Sequence, residues 1–542
     1  MSREGADVAP AAPTPPTPPT PPGGSAASGH NDAPDAPSRA GLPRVLQDEV
    51  GGSMAGRVRR GVAWTAGSRL VVQVMQVGAT AVLARLLSPA DYGLAALVAV
   101  VTGFAAILVD LGIPAAVIQR RGIDDRYLST AFWLNFGVGL VMAGLVCAAA
   151  VPVAAFFDEP QLVGLVMLSS LTLVLSLNAV HVAVLQRALQ FGRIGRMTLL
   201  TTSVGIVVSI AAAAAGMGPV SLVLGPIAER LTSVIQVQAA VRWLPRARPS
   251  REAARDIWRF GRGITGFNVV NYWVGSADRV VIGRLVTVTA LGYYNRASNL
   301  MQLPIQQTTR ALVGVFYPAL SAMAEDLPRL RSAWLRLVRA AWIVGVPVAV
   351  GLGLTAPALV GVIYGDQWDA VAPLLAVLSI GIPFLLITST TAPVFQALGR
   401  TGLQFRLGLV NAVVALVALG VGVQWGVTGV AVAWVVRTVL AAAVTLVPLL
   451  RLVHVGGGTL VAALWRAATA GALMGAGVWG VVVTTDGMPV PLALTLQVAA
   501  GVLVYGAFAW LLERDTVREL LGRASRRTKA APPAPAPTEE NR

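Results

Sequence analysis

One cysteine and one lysine in 542 residues are the first things this chain lacks. With Cys147 alone, no disulfide framework can form within the chain. Three scattered histidines, His30, His181 and His454, suggest no metal set. There is no nucleotide-binding loop, no HExxH and no Ser/His/Asp grouping, so neither a cofactor nor an enzymatic reaction is expected. Charge is scarce too: 13% of residues are charged, about half the usual share of a globular domain. Hydrophobic residues make up 55% and the mean hydropathy is +0.68. A single soluble core could not bury so much apolar surface. The composition excludes a secreted enzyme, a cytosolic multidomain protein and a nucleic-acid binder, and implies an all-α polytopic membrane protein.

The ends differ from the middle. Residues 1–56 carry TPPTPPTPP at 14–22 amid Ala, Gly, Ser and Asp, a composition that reads as a disordered tail. The tail 514–542 begins with a basic stretch suited to a surface helix and ends in Ala and Pro. Between them, apolar runs long enough to cross a bilayer lie near 61–84, 90–111, 128–154, 161–185, 197–215 and 219–241. After a basic stretch at 242–262 come 263–283, 289–316, 340–357, 370–395, 407–424, 427–449, 467–484 and 490–512. That predicts about 14 transmembrane helices.

The net charge of +16 fits this count. With the N-terminus inside, the inner loops 112–127, 186–196, 242–262, 320–339, 399–406 and 451–466 hold 21 arginines, against two, Arg85 and Arg284, outside. Basic loops alternate with acidic ones bearing Asp91, Asp158, Glu159, Asp366, Asp369 and Asp486. This is the positive-inside pattern, and an even helix number places both termini in the cytoplasm.

The chain also repeats itself. Arg85-Leu86-Leu87-Ser88 followed by Gly93 recurs, at an offset of 199, as Arg284-Leu285-Val286-Thr287 followed by Gly292. Arg230 in the sixth expected span faces Arg437 in the twelfth. The expectation is a six-helix lobe at 57–241, a basic linker at 242–262, a second six-helix lobe at 263–450, and two added helices within 451–513. Parallel repeats of this kind are a transporter architecture. Gly137, Gly139, Gly471 and Gly475 are expected at close helix contacts.

The stretches RGVAWTAGSR at 60–69, ARLLSPADYGL at 84–94, DLGIPAAVIQRR at 110–121 and LSTAFWLN at 128–135 resemble the polysaccharide (Wzx-type) flippases of the MOP superfamily. DRVVIGRL at 278–285, LGYYNRA at 291–297 and FYPALS at 316–321 fit the same family. The resemblance spans about 61–512. It implies transfer of a lipid-linked oligosaccharide, usually on undecaprenyl diphosphate, across the cytoplasmic membrane through a cavity between two lobes. Membrane lipids are implied partners, and a polysaccharide polymerase and glycosyltransferases are candidate ones. Related alternatives are a peptidoglycan-precursor flippase and a multidrug exporter of the same superfamily. From another class, a membrane polysaccharide polymerase or ligase would need a large external loop with acid/base residues, and the loop near 357–369 is too short.

Eight ionisable residues fall within expected spans: Arg69, Glu229, Arg230, Asp278, Arg279, Arg296, Arg310 and Arg437. Each would cost about 2.5–3.5 kcal/mol if left in hydrocarbon, which favours a hydrated cavity or mutual pairing. Arginine's fixed fork suits a diphosphate. Arg69, Arg230, Arg296, Arg310 and Arg437 are therefore candidate substrate-binding residues, and Asp278 and Glu229 candidates for ion coupling. The alternatives are snorkelling for Arg69 and Arg310, and structural pairing for Arg230, Arg437 and Asp278. Arg85 and Arg284 read as structural residues of span ends.

Overall fold

The computed structural model describes residue 43 and residues 54–120 and 122–512, and these contain helices and no strand. The tails expected to be disordered lie almost wholly outside the described residues, as does the side chain of Arg310. The helices are α1 (Met54–Leu86), α2 (Pro89–Asp110), the short α3 (Ile113–Gln119) and α4 (Asp125–Phe157). A broken path follows: α5 (Leu162–Ser169), α6 (Leu171–Val174), a 3-10 turn and α7 (Ala179–Arg187). Then come α8 (Phe191–Ala214) and α9 (Val220–Val241). The second half opens with α10 (Arg251–Leu285), α11 (Val288–Ala322) and α12 (Leu327–Leu354). It continues through α13 (Ala356–Ile363), α14 (Val371–Ser379), α15 (Ile382–Ser389), α16 (Thr391–Ala397), α17 (Thr401–Gly422) and α18 (Gly426–Leu452). α19 (Gly457–Thr484) and α20 (Val490–Leu512) follow.

Ten helical segments among the described residues are long and apolar enough to cross a membrane, or eleven if the pair α14 and α15–α16, bent by 45°, forms one broken span. One of the ten is the 52-residue stretch Thr401–Leu452. A straight helix of that length would reach about 78 Å, more than twice the hydrocarbon thickness. It folds back instead: a 3-10 turn at Val423–Trp425 and Gly426, at φ +66°, reverse the chain, and α17 and α18 pack along each other. α10 and α11 are the longest helices among the described residues, 35 residues each. Their many neutral polar residues, Asn, Gln, Thr and Tyr, lower the hydropathy and keep them out of the apolar set, although either is long enough to cross.

Local chemistry sets the helix starts. In the Ser-Pro-Ala-Asp motif, Ser88 caps α2, its hydroxyl accepting from the Asp91 N–H, while Asp91 accepts from the Ser88 N–H at 2.8 Å and Pro89 occupies the first turn. Asp124, Ser250 and Asp326 cap α4, α10 and α12 by the simpler bond alone, each side-chain oxygen accepting from the N–H three residues on.

The repeated glycines explain how the two halves meet. A Cβ built on Gly93 would lie less than 3.0 Å from the Val288 carbonyl oxygen, and one on Gly292 less than 3.0 Å from that of Pro89. Pro89 and Val288 stand at the same 199-residue offset as the glycines. The contact is thus reciprocal: each helix presents its glycine to the first residue of the other. α10 also runs along α2. Gly261 lies against the Leu111 carbonyl, where α2 breaks into α3 through Leu111 and Gly112 at φ +45° and +67°. Further along, the Tyr272 hydroxyl donates to the Val100 carbonyl at 2.7 Å.

Gly139 meets the Leu173 carbonyl, Gly471 meets Val346, and Gly475 lies 3.3 Å from Val350, as close packing requires. Gly137 has nothing within 4 Å, so the expected contact there is corrected: it sits on an unpacked face of α4. α19 and α20 pair with each other and lean on α12 and α13, where the Tyr505 hydroxyl donates to the Ile343 carbonyl at 2.7 Å.

Candidate substrate site

The charges expected in the spans separate into distinct settings. Arg69 on α1 and Arg230 on α9 are exposed, and neither makes an ion pair among the described residues. Glu229 is half-buried, its side chain pressed over Gly205 of α8. Adjacent in sequence, Glu229 and Arg230 point about 100° apart, which is why one packs inward while the other does not.

Asp278 and Arg437, on helices nearly 160 residues apart in sequence, come together. They line one small cleft, about 20 Å³ in volume, with Val274 and Ala277 of α10, Leu419 of α17 and Trp434 of α18. The Arg437 guanidinium carbon is 5.8 Å from the Trp434 ring centre. The Asp278 carboxylate accepts a hydrogen bond of 2.7 Å from the Tyr294 hydroxyl of α11 and one of 2.9 Å from the Arg279 N–H. Tyr294 is 1% exposed, so its hydroxyl has no access to bulk water and the carboxylate serves as its acceptor. Tyr294 is not among the charges that mark the spans in the sequence; its one signal there is a polar hydroxyl in a span already carrying Arg296. One acid and one cation thus face a largely apolar cleft, an arrangement that can hold an anion at Arg437 or a cation at Asp278.

Arg296, two residues beyond Tyr294, belongs elsewhere. Its guanidinium carbon lies 4.2 Å from the centre of the Tyr92 ring, and its buried Nε has no hydrogen-bond partner among the described residues. Tyr92 is the edge of an aromatic plug packed where α2 and α11 begin. Trp368, fully buried, meets Tyr92, Tyr364 and Tyr293 with ring centres 5.2, 5.6 and 6.0 Å away. Its indole N–H donates to the Ala84 carbonyl at 2.8 Å, and the Gln367 amide donates to the same oxygen. Arg85 donates to the Val362 carbonyl at 3.1 Å, and Arg284 lies over the Phe156 ring at 5.7 Å. The repeated arginines therefore reach, each from its own half, into the other. Burial pushes the Tyr364 phenol above its ordinary range, and Arg296 acts against that shift. Arg230 and Arg437 share no hydrogen bond or ion pair, and Arg310 is located only by its backbone on α11.

Residues 82–373 match the sequence profile of the family described as polysaccharide biosynthesis protein. The chain belongs to that family. It is 26% identical over 493 residues to the succinoglycan biosynthesis transport protein ExoT of Rhizobium meliloti, covering 88% of this chain and 97% of the relative. To the lipopolysaccharide biosynthesis protein WzxC of Escherichia coli it is 24% identical over 407 residues, covering 72% of this chain and 81% of the relative. Among solved structures, the lipid II flippase MurJ in an inward closed conformation superposes with a TM-score of 0.67 at 15% identity. The match covers 84% of this chain and 99% of that one, and establishes a shared fold. The resemblance read from the sequence motifs holds, and the chain is a polytopic membrane protein of this transporter fold.

Proposed function

We propose that this protein flips a lipid-linked oligosaccharide, carried on undecaprenyl diphosphate, across the cytoplasmic membrane for surface or extracellular polysaccharide synthesis. The observation that carries this reading is the end-to-end similarity to a succinoglycan transport protein, covering 97% of that relative. The succinoglycan and lipopolysaccharide roles of the relatives favour surface polysaccharide over peptidoglycan precursor as the cargo class. The protein acts as a transporter rather than an enzyme: two six-helix lobes, 57–241 and 263–450, joined by the linker 242–262, rock about a central cavity while 451–513 adds two helices. Both termini lie in the cytoplasm. The aromatic plug around Trp368 then belongs to the outer end and the Arg120 end of α10 to the inner one.

Within this cycle Arg437 is the centre of diphosphate binding. Arg69, Arg230, Arg296 and Arg310 meet the head group in other conformations, and Asp278 and Glu229 are the acids available for ion coupling. Charge-assisted hydrogen bonds to phosphate, roughly 1.5–3 kcal/mol each, favour such a role for arginine over neutral residues. The test is a deletion strain. Mass spectrometry should find the lipid-linked sugar accumulating on the inner leaflet, and the intact gene should clear it. Normal export with no accumulation refutes the proposal.

A further inference from the structure

The first three turns of α10 carry a feature that the positive-inside pattern does not account for. At 100° per residue, Arg251, Arg255, Arg259 and Arg262 fall along one face of the helix, with Trp258 among them, and all five are exposed. None of the four arginines makes an ion pair among the described residues. Of the two acids beside them, Asp256 is engaged by Arg120, whose guanidinium stacks on Tyr127 at 4.3 Å from the ring centre, which leaves Glu252 alone against four arginines. The opposite face is anchored: Ile257 and Gly261 are buried against the first half, Gly261 on the Leu111 carbonyl. The arginine row is therefore held outward on a rigid support, with a surplus of positive charge over the one neighbouring acid, Glu252.

Two further observations say what would relieve them. About two fifths of a turn round from the arginine row, still on the exposed side of α10, runs an apolar row of Phe260, Ile264 and Phe267. A cationic row and an apolar row on one exposed helix match a molecule with a phosphate head and a hydrocarbon tail long enough to pass round the helix, which a soluble phosphate is not. The arginine face also leads somewhere. Carried upward at helical spacing from Arg262 it passes Gly266 and exposed Trp273 and arrives at Ala277, which lines the cleft of Asp278 and Arg437, about 22 Å along the axis.

We propose that this face of α10 is a loading site: it captures the diphosphate of a polyprenyl diphosphate lipid at the cytoplasmic leaflet and directs it along α10 to the cleft. The inference rests on the flippase reading and adds to it a site and an order of events. The four arginines bind the head group first, Phe260, Ile264 and Phe267 lie against the prenyl chain, and Arg437 receives the diphosphate second.

The experiment uses the full chain in nanodiscs of neutral phosphatidylcholine, with farnesyl diphosphate as probe and binding read by titration. The double variant Arg255→Gln/Arg259→Gln should weaken binding roughly tenfold and flatten its salt dependence, since two phosphate contacts are lost. Arg255→Lys/Arg259→Lys keeps the charge and should recover most of the affinity, while Arg451→Gln, on a different inner segment, should bind as the parent does. If the Gln pair binds farnesyl diphosphate like the parent while Arg437→Ala does not, the loading site is refuted and the flippase reading stands. If the Gln pair differs only when phosphatidylglycerol is added to the discs, the face serves bulk anionic lipid, and the proposal is again refuted. Absence of farnesyl diphosphate binding by the parent protein overturns both the loading site and the diphosphate reading.

Discussion

Replacing Gly93 by alanine adds one methyl group where the Val288 carbonyl already stands. The Cβ would lie less than 3.0 Å from that oxygen, whereas ordinary contact is 3.4–4 Å. The obstacle is backbone at the first turn of α11, so no rotamer change relieves it, and α2 and α11 must separate by on the order of 1 Å. Overpacking of this kind costs about 1–3 kcal/mol. Gly292→Ala meets the Pro89 carbonyl from the other side and should cost about the same. The reciprocity makes a sharper prediction for the double variant. One separation of the helices makes room for both methyls, so Gly93→Ala/Gly292→Ala should be well short of the sum of the single changes. The control is Gly137→Ala, which meets nothing within 4 Å and should be neutral, or stabilising by up to about 1 kcal/mol through helix propensity. Thermal unfolding of purified protein in detergent, followed by tryptophan fluorescence, reads all four. Additive single costs, or single variants as stable as Gly137→Ala, would show that the two halves do not meet at a shared crossing.

Trp368→Ala should cost about 3–5 kcal/mol by emptying a fully buried site. It should also make a cysteine placed at Ala84 reactive to aqueous maleimide; unchanged reactivity would mean Trp368 does not seal that end. Arg437→Ala should lower polysaccharide export by about one to two powers of ten with normal membrane insertion, and Arg437→Lys should fall between; parental export by Arg437→Ala removes it from the substrate site. Asp366→Cys in a Cys147→Ala background should be labelled from outside intact cells, and labelling only after permeabilisation would invert the proposed topology.

The membrane class and family were legible because they rest on quantities that a linear chain displays: run length, hydropathy and motif spacing. The Ser88–Asp91 capping box shows how directly such a motif becomes structure, since every interacting atom lies within four residues. The cleft was legible only in part. Asp278 and Arg437 stood out as charges in apolar surroundings, but their meeting depends on how α17 and α18 fold back at Gly426. Tyr294 could not be found this way, because its role follows from the face that α11 turns toward α10. Arg296 shows the converse. It looked equivalent to Arg437 by its charge and setting in the chain, yet the reciprocal crossing at Gly93 and Gly292 carries α11 alongside α2 and sets Arg296 on Tyr92.

α10 is in contact with the first half at Gly261 and with the second-half cleft at Asp278, 17 residues later on the same unbroken helix. At 1.5 Å per residue those points are about 26 Å apart. A helix without a break behaves over that length as a lever. A tilt of about 5° about the Gly261 contact displaces the Asp278 end by about 2 Å, comparable to the length of the bond from Tyr294. Motion at the basic end of α10 is thereby delivered to the acid in the cleft without any intervening chain of side-chain contacts.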